Sequence, residues 1–326
     1  MKAERRNRGK GVRSVSGGSN SPGGSNVPVG SSSASQEKLD LWERFWFAPH
    51  SSQSLGPARW LLSLAAVYFA LSFSGELTSW FARDGVLSTE RLGRLVSSTG
   101  VEGAARWQFS LLYGASPPWV LRLVAATIAL GALGVGFGIG GRWLLALVWV
   151  GCISLANREW FLAGPGELAL AAGLLSLWVA TPGRWSMRVP PAPRPLVGLG
   201  RRMLQVHGVT MILGAVAIQF SSGAWFTGEG IIRVMSSHPY FRIDLTSWFL
   251  GTSLGQVADG IVVLLPLLGI GLILFSPSHV RWGVALMGLY CLLVASLSGN
   301  VLLGLAWGGM IAAFLPGPSP REEEIG

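Results

Sequence analysis

Eight long stretches with hardly any charge constrain this chain more than any other feature. They run over residues 58–75, 119–139, 142–157, 166–181, 203–222, 258–276, 280–298 and 300–315. About 20 apolar residues in a helix cross a hydrocarbon core of about 30 Å. Inside lipid every backbone N–H and C=O must be paired within its own segment, so each stretch is expected to be helical. The third, fourth and eighth are short, and one or two of them are expected to be buried half-spans. Composition agrees with this reading. Half the residues are hydrophobic and 13% are charged, against roughly a quarter charged in a soluble domain. The expected fold class is therefore all-α, a polytopic integral membrane helical bundle of about eight spans.

Residues 1–38 are rich in Ser, Gly, Asn, Lys and Arg. They carry too little apolar surface to offset the entropy of ordering, so a disordered tail is expected. The stretch has no apolar h-region and does not read as a cleavable signal. Residues 39–48 follow, with Leu39, Trp42, Phe45 and Trp46 at helical spacing and Asp40, Glu43 and Arg44 on the other side. Two readings fit: an amphipathic helix in the headgroup region, or a helix packed against the bundle. Residues 49–316 form the membrane domain in this reading, and 317–326 a second tail.

The cations orient the bundle. With the first residue inside, all 25 Lys and Arg fall inside except Arg83, Arg91, Arg94, Arg106, Arg122, Arg158, Arg233 and Arg242. The segment 182–202 alone holds five arginines. The positive-inside rule then places both termini in the cytoplasm, and a plasma (inner) membrane location is expected. The net charge of +9 does not signal nucleic acid, because no basic patch is interleaved with base-stacking aromatics. Two long segments, 76–117 and 223–257, lie outside in this topology; they are expected to meet over the outer face and form the most site-like surface.

Few motifs carry chemistry. Gly136, Gly138 and Gly141 spell GxGxxG, but no strand precedes them and no acid follows at the spacing a dinucleotide needs. Gly134/Gly138 and Gly136/Gly140 read as GxxxG packing positions, and Pro266 as a kink. Cys152 and Cys291 lie in apolar runs and read as inert packing thiols. No metal-ligand spacing is present. Polar groups inside a membrane default to functional suspicion. They give the candidates His207, Gln219 and Asp259, with Trp225 and Glu229 in the glycine-flanked segment just past the fifth span. Each has a structural alternative: His207 as an interfacial, internally bonded side chain, Asp259 as a helix cap, and Trp225 as an interfacial anchor.

Three stretches carry a family resemblance. "WFAPHSSQSLGPARWLLSLAAVYFAL" (46–71), with Arg59 opening the span, is similar to the opening of the horizontally transferred transmembrane domain family. The vitamin K-dependent gamma-glutamyl carboxylases are its best-known relatives. "FARDGVLS" (81–88) resembles that family's glycine-centred loop. "RRMLQVHGVTMILGAVAIQFSSGAWFTGEGI" (201–231) resembles its span-plus-loop, with Trp225 and Gly228 at the Trp and Gly positions. The departures bear on activity. The carboxylases' lysine would fall on Gln219 or Phe220, and their histidine near "ANREW" (156–160), which has Arg158 and Glu159 instead. Asp259 would match their later acidic residue. The resemblance thus implies a family member without the carboxylase amine.

The first functional expectation is a non-catalytic module binding a lipid, a quinone or a membrane partner. A second is an enzyme acting on an apolar cofactor or lipid through His207, Glu229 or Asp259, which would have to converge on one cavity. A transporter ranks last, since no internal repeat is evident. No cofactor can be named from these residues.

Overall fold

The computed structural model describes residues 41–75, 79–80, 110–112, 117–158, 164–181, 194–236 and 246–316, with single positions between 85 and 94. The two expected tails and most of 76–117, 182–193 and 237–245 lie outside these residues. Among the described residues the chain is all-helical, apart from one isolated bridge between His50 and Arg194.

Residues 41–47 form a short helix, α1. The body then consists of α2 (Gly56–Ser72), α3 (Pro118–Gly136), α4 (Gly141–Arg158), α5 (Pro165–Ala180) and α6 (Pro195–Ser221). Two short helices follow, α7 (Ala224–Thr227) and α8 (Gly230–Ser236). After a helical turn at Thr246–Phe249 come α9 (Ser253–Phe275), α10 (Val280–Ser298) and α11 (Val301–Ala312). Proline stands in the first turn of α2, α3, α5 and α6, where its fixed φ suits the helix and its missing N–H costs nothing. Thr252 and Asn300 cap α9 and α11 by accepting from the N–H groups of Gly255 and Leu303.

Five helical segments are long and apolar enough to cross a membrane: Ser52–Ser72, Pro118–Gly136, Pro195–Ser221, Ser253–Phe275 and Pro277–Ser298. Gly141–Asn157, Pro165–Ala180 and Val301–Ala312 are shorter. Consecutive long elements run antiparallel, as the packing register shows. Gly131 meets Val148 while Gly151 meets Ile128, and Gly269 meets Met287 while Gly283 meets Ile273. The outward surface is apolar, with Trp143 81% and Phe275 85% exposed. That is the reverse of a water-soluble domain, whose helices turn a polar face outward.

The centre of the bundle is its shortest body helix. α11 packs against α2, α5, α6 and α10, and nine of its twelve residues are buried. Its approach is set by glycines: Gly309 sits on Leu62, Gly304 on Ala295, and Gly208 of α6 on Met310. A helix of this length is expected to be a core element when neighbours shield it from lipid.

The end of α11 is held by Arg201 and Gln205 of α6. Arg201 donates from Nε to Ala313 O (2.8 Å) and from Nη2 to Leu315 O (2.9 Å), and Gln205 Nε2 also donates to Ala313 O (3.0 Å). Arg202 donates to Phe45 O of α1 at 3.0 Å and lies over the Phe45 ring, 4.7 Å from its centroid. Cations at helix C-termini satisfy free carbonyls and oppose the helix dipole. This explains a difference from the sequence reading, which began the fifth span at 203 and left both arginines in a loop. α6 in fact starts at Pro195, because its arginines have carbonyl partners on neighbouring helices.

The described part of the expected helix, α1, has a packed side and an exposed side. Its backbone is clamped to α6, yet Trp42, Phe45 and Phe47 remain exposed. Just past α1, the Nδ1 of His50 lies 2.6 Å from Ala48 O. Burial, helped by the charges of Arg201 and Arg202 and opposed by that bond, holds its pKa below the usual histidine value. The clamp is tight, since a Cβ on Gly198 would fall 2.1 Å from Ala48 O. Gly198→Ala should therefore pry residues 41–50 from the bundle. Trypsin should cut after Arg44 at least about fivefold faster while the body's melting temperature moves by only a few degrees; an unchanged cutting rate would contradict the clamp.

One further expectation needs correction. Gly138, Gly140 and Gly141 lie beyond α3 with φ of 74°, 84° and 62°. They form the turn into α4, which needs left-handed backbone, whereas Gly134 and Gly136 pack within α3, against Leu144 and Trp60. The glycines therefore do not form GxxxG pairs on one helix. Pro266, read from the sequence as a kink, is buried inside α9, where it leaves the helix one N–H short.

Candidate functional site

Parts of the two long connecting segments, 76–117 and 223–257, are described. Where described, the first one docks on α4: Ser110 Oγ donates to Ser154 O at 2.6 Å, and Leu111 N donates to Ser154 Oγ at 3.3 Å. The second, α7 and α8, lies on α9 and α10. The described parts of the two segments thus dock on different helices.

Asp259 organises the second segment. It is fully buried in α9, and its carboxylate accepts from two consecutive amides that open α8. Oδ2 takes the N–H of Gly230 at 2.8 Å and Oδ1 that of Ile231 at 2.9 Å. These amides are the unpaired donors of a helix start, and an anion there is doubly favoured by hydrogen bonding and dipole. The cap reading of Asp259 is the one seen, but the helix it caps is a neighbour's rather than its own. The tight path between the two is glycine-dependent. Gly228 has φ 84°, and a Cβ on Gly255 would sit 1.9 Å from Phe249 O. Gly230 in turn lies directly under the indole of Trp225, where a Cβ would come within 2.5 Å of Cδ2.

Trp225, so placed, forms part of the wall of a cavity of about 410 Å³. Its other walls come from α6 (Ala215, Ile218, Gln219), α10 (Tyr290, Val294) and α11 (Leu303, Trp307). From Ser298 to Tyr290 is eight helical residues, so the cavity reaches roughly 12 Å into the bundle at 1.5 Å per residue. It opens sideways at Ile218, a lining residue that is 71% exposed on the apolar surface.

The cavity wall is apolar except for a few uncharged groups. Trp307 is only 4% exposed, and its Nε1–H has no hydrogen-bond partner. Gln219 Oε1 is likewise buried and unpartnered, while the amide as a whole lies beside the Tyr290 phenol. Tyr290 and Trp307 stack, with centroids 6.1 Å apart and planes 11° from parallel. Asn300 Oδ1 and the Ser298 hydroxyl are already used locally, as acceptors for Leu303 N and Asn300 N. No charged side chain lines the cavity among the described residues. Buried polar groups without partners are rare and costly. Both atoms have almost no accessible surface, so they lie within the cavity wall rather than open to its space.

Of the candidates from the sequence, Gln219 and Trp225 meet here. Asp259 stands behind them as the support of α8. Glu229 instead pairs with Arg233 at 2.6 Å on the exposed side of α8, a contact worth little. His207 bonds back to Met203 O at 2.8 Å and lies about 18 Å down α6 from Gln219. His207, Glu229 and Asp259 thus do not line one cavity. Tyr290 and Trp307 escaped the sequence reading because an aromatic inside an apolar run looks like ordinary packing; only their shared wall distinguishes them. A second groove of about 390 Å³ runs between α2, α10 and α11 past Pro57, Gly288 and Gly304. It offers no open polar group, so nothing in it selects a head group.

Comparison of the chain with protein families, with characterised proteins and with solved structures gives no match.

Proposed function

We propose that this chain is a multi-pass membrane protein whose eight body helices all cross or enter the bilayer, and that it binds a lipid in the chamber between α6, α10 and α11. The apolar cavity of about 410 Å³, with Ile218 at its edge exposed on the apolar surface, carries this reading. A lateral mouth on an apolar surface suits a ligand arriving from the membrane, as does a wall of indole, phenol and aliphatic groups. The reading is of a binding module. Acid–base chemistry gains no support from His207, Glu229 and Asp259, each engaged at a different place.

The sequence resemblance to the horizontally transferred transmembrane family fits this reading, with Gln219 where the carboxylases hold an amine. For orientation, Phe45 and Leu315 are tied to adjacent arginines of α6, so both ends of the described chain share one face. That face holds Arg59, Arg142, Arg194, Arg201, Arg202 and Arg281, and we place it in the cytoplasm. The chamber then opens near the opposite leaflet.

The test is lipid analysis of the full chain purified in mild detergent. Wild type should retain a neutral lipid in near-equimolar amount. Val294→Trp, which fills the chamber, should lose at least about 90% of it, while Leu268→Trp on the outer face of α9 should not. Equal retention in all three proteins would refute the chamber as the binding site.

A further inference from the structure

The groove between α2, α10 and α11 has no polar group of its own, but it runs toward a cation. We infer that it seats one acyl chain of an anionic phospholipid whose phosphate is held by Arg281; this rests on the membrane reading of the chain and not on the chamber. Val301 and Ala312 both line the groove, and at eleven helical residues apart they give it a length of about 17 Å. That is close to the depth of one leaflet, half of a hydrocarbon core of about 30 Å. Its volume of about 390 Å³ equals roughly thirteen liquid waters. Spread over that length it is narrow, the shape of an extended chain. It opens to the apolar surface at Leu292, which is 66% exposed. Two lining glycines keep it clear. Glycine inside a helix is destabilising relative to alanine, and no protein contact calls for it here. A Cβ on Gly288 would meet nothing within 4 Å, and one on Gly308 only Leu61 Cδ1 at 3.8 Å.

Charge sets the head group. Arg281 stands three residues before Val284 and seven before Gly288, both of which line the groove, so it continues the same face of α10. It is exposed, and α2, α10 and α11 contain no Asp or Glu to pair with it. It also lies in the first turn of α10, where a cation meets the positive end of the helix dipole and an anion relieves both. The other arginines of this end are occupied differently. Arg201 and Arg202 donate to carbonyls, and Arg142 lies over the Trp178 ring at 4.0 Å. Trp282, next to Arg281, is 69% exposed, as suits an indole at head-group level. A guanidinium grips a phosphate through paired N–H groups. A zwitterionic lipid carries its own ammonium beside the phosphate, so an anionic one gains more from this cation. A second copy of the chain fits the groove less well. Docked about a two-fold axis along the membrane normal, it would set its own Arg281 at the same level, like charge facing like.

The experiment uses the full chain in detergent, stripped of lipid and reloaded with dioleoylphosphatidylglycerol or dioleoylphosphatidylcholine, with bound lipid counted by native mass spectrometry. The two probes share their chains and differ in net charge. Wild type should bind the anionic lipid about fivefold more tightly, the scale of one cation at a membrane surface. Arg281→Gln should bring the two within about twofold of each other. Gly288→Leu, which fills the groove, should weaken both by at least about tenfold. Gly271→Leu is the control. That glycine of α9 also has nothing within 4 Å of its Cβ position, but it does not line the groove, so binding should not change. Should Gly288→Leu fail to fold, the wild-type preference and its loss in Arg281→Gln still decide. Equal binding of the two lipids by wild type, or a preference that survives Arg281→Gln, would overturn the assignment. A dimer that dissociates in Gly288→Leu would give the groove to a second copy and overturn it too. Phospholipid lost from Val294→Trp but kept by Gly288→Leu would move the site to the chamber, sinking this inference alone. The chamber reading fails separately, by its own lipid analysis.

Discussion

Replacing Asp259 by alanine is expected to lower stability by about 3 kcal/mol, a melting-temperature drop of several degrees, and to abolish lipid retention in the same protein. The side chain takes two amide hydrogen bonds while fully buried. Hydrogen bonds to an ionised group contribute about 1.5–3 kcal/mol each, and truncation also strands the two donors. The structural consequence is local. Without its anchor the start of α8 loosens, and Gly230 no longer holds the position beneath Trp225, so one wall of the chamber is lost. Asp259→Asn separates charge from shape, because it keeps one acceptor and turns an NH₂ toward the other amide. It should therefore be nearly as damaging as alanine. Thermal unfolding in detergent, read beside limited proteolysis of 223–236, checks both variants. An Asp259→Asn protein with wild-type stability and lipid content would show that the two amides do not need the carboxylate.

The second large effect is expected at the other end of the bundle. Arg201 alone supplies hydrogen bonds to both Ala313 O and Leu315 O. Arg201→Met keeps much of the apolar stem and removes the donors, leaving the end of α11 with its dipole unopposed. A loss of about 2–3 kcal/mol is expected. Arg201→Lys should recover less than half of it, since one ammonium cannot reproduce a guanidinium fork spanning two carbonyls. The readout that distinguishes this from general damage is hydrogen exchange. Amides in the last turn of α11 should exchange about tenfold faster in Arg201→Met, while those of α3 and α4 stay protected. Uniform acceleration through the whole chain would mean that Arg201 supports the fold generally rather than the end of one helix.

These two sites show what kind of information the sequence carries and what it withholds. Hydropathy alone located the middle of every body helix, because a run of Leu, Val and Ala with one charge at most favours helix in an apolar setting, but it began α6 eight residues late and α9 five. Asp259 was also legible as a cap. Which helix it caps was not, since its partners Gly230 and Ile231 lie almost thirty positions earlier and reach it only after α9 folds back past α8. Arg201 and Arg202 looked like the boundary of a loop because their carbonyl partners belong to α1 and the end of α11. Gln219 stood out as a polar residue in an apolar run. Trp307, its counterpart across the chamber, did not, for a tryptophan in such a run is ordinary until its N–H is seen to have no partner. Periodicity reports which face is buried, but not whether the space in front of it is filled.

The twelve residues of α11 also bear on biogenesis. At 1.5 Å per residue they extend about 18 Å, too little to hold a place across a bilayer alone. They emerge from the ribosome after each of the four helices that surround them. Those four must therefore assemble around a gap and keep it open until the last arrival threads inward, so that closure of the bundle waits on its innermost member.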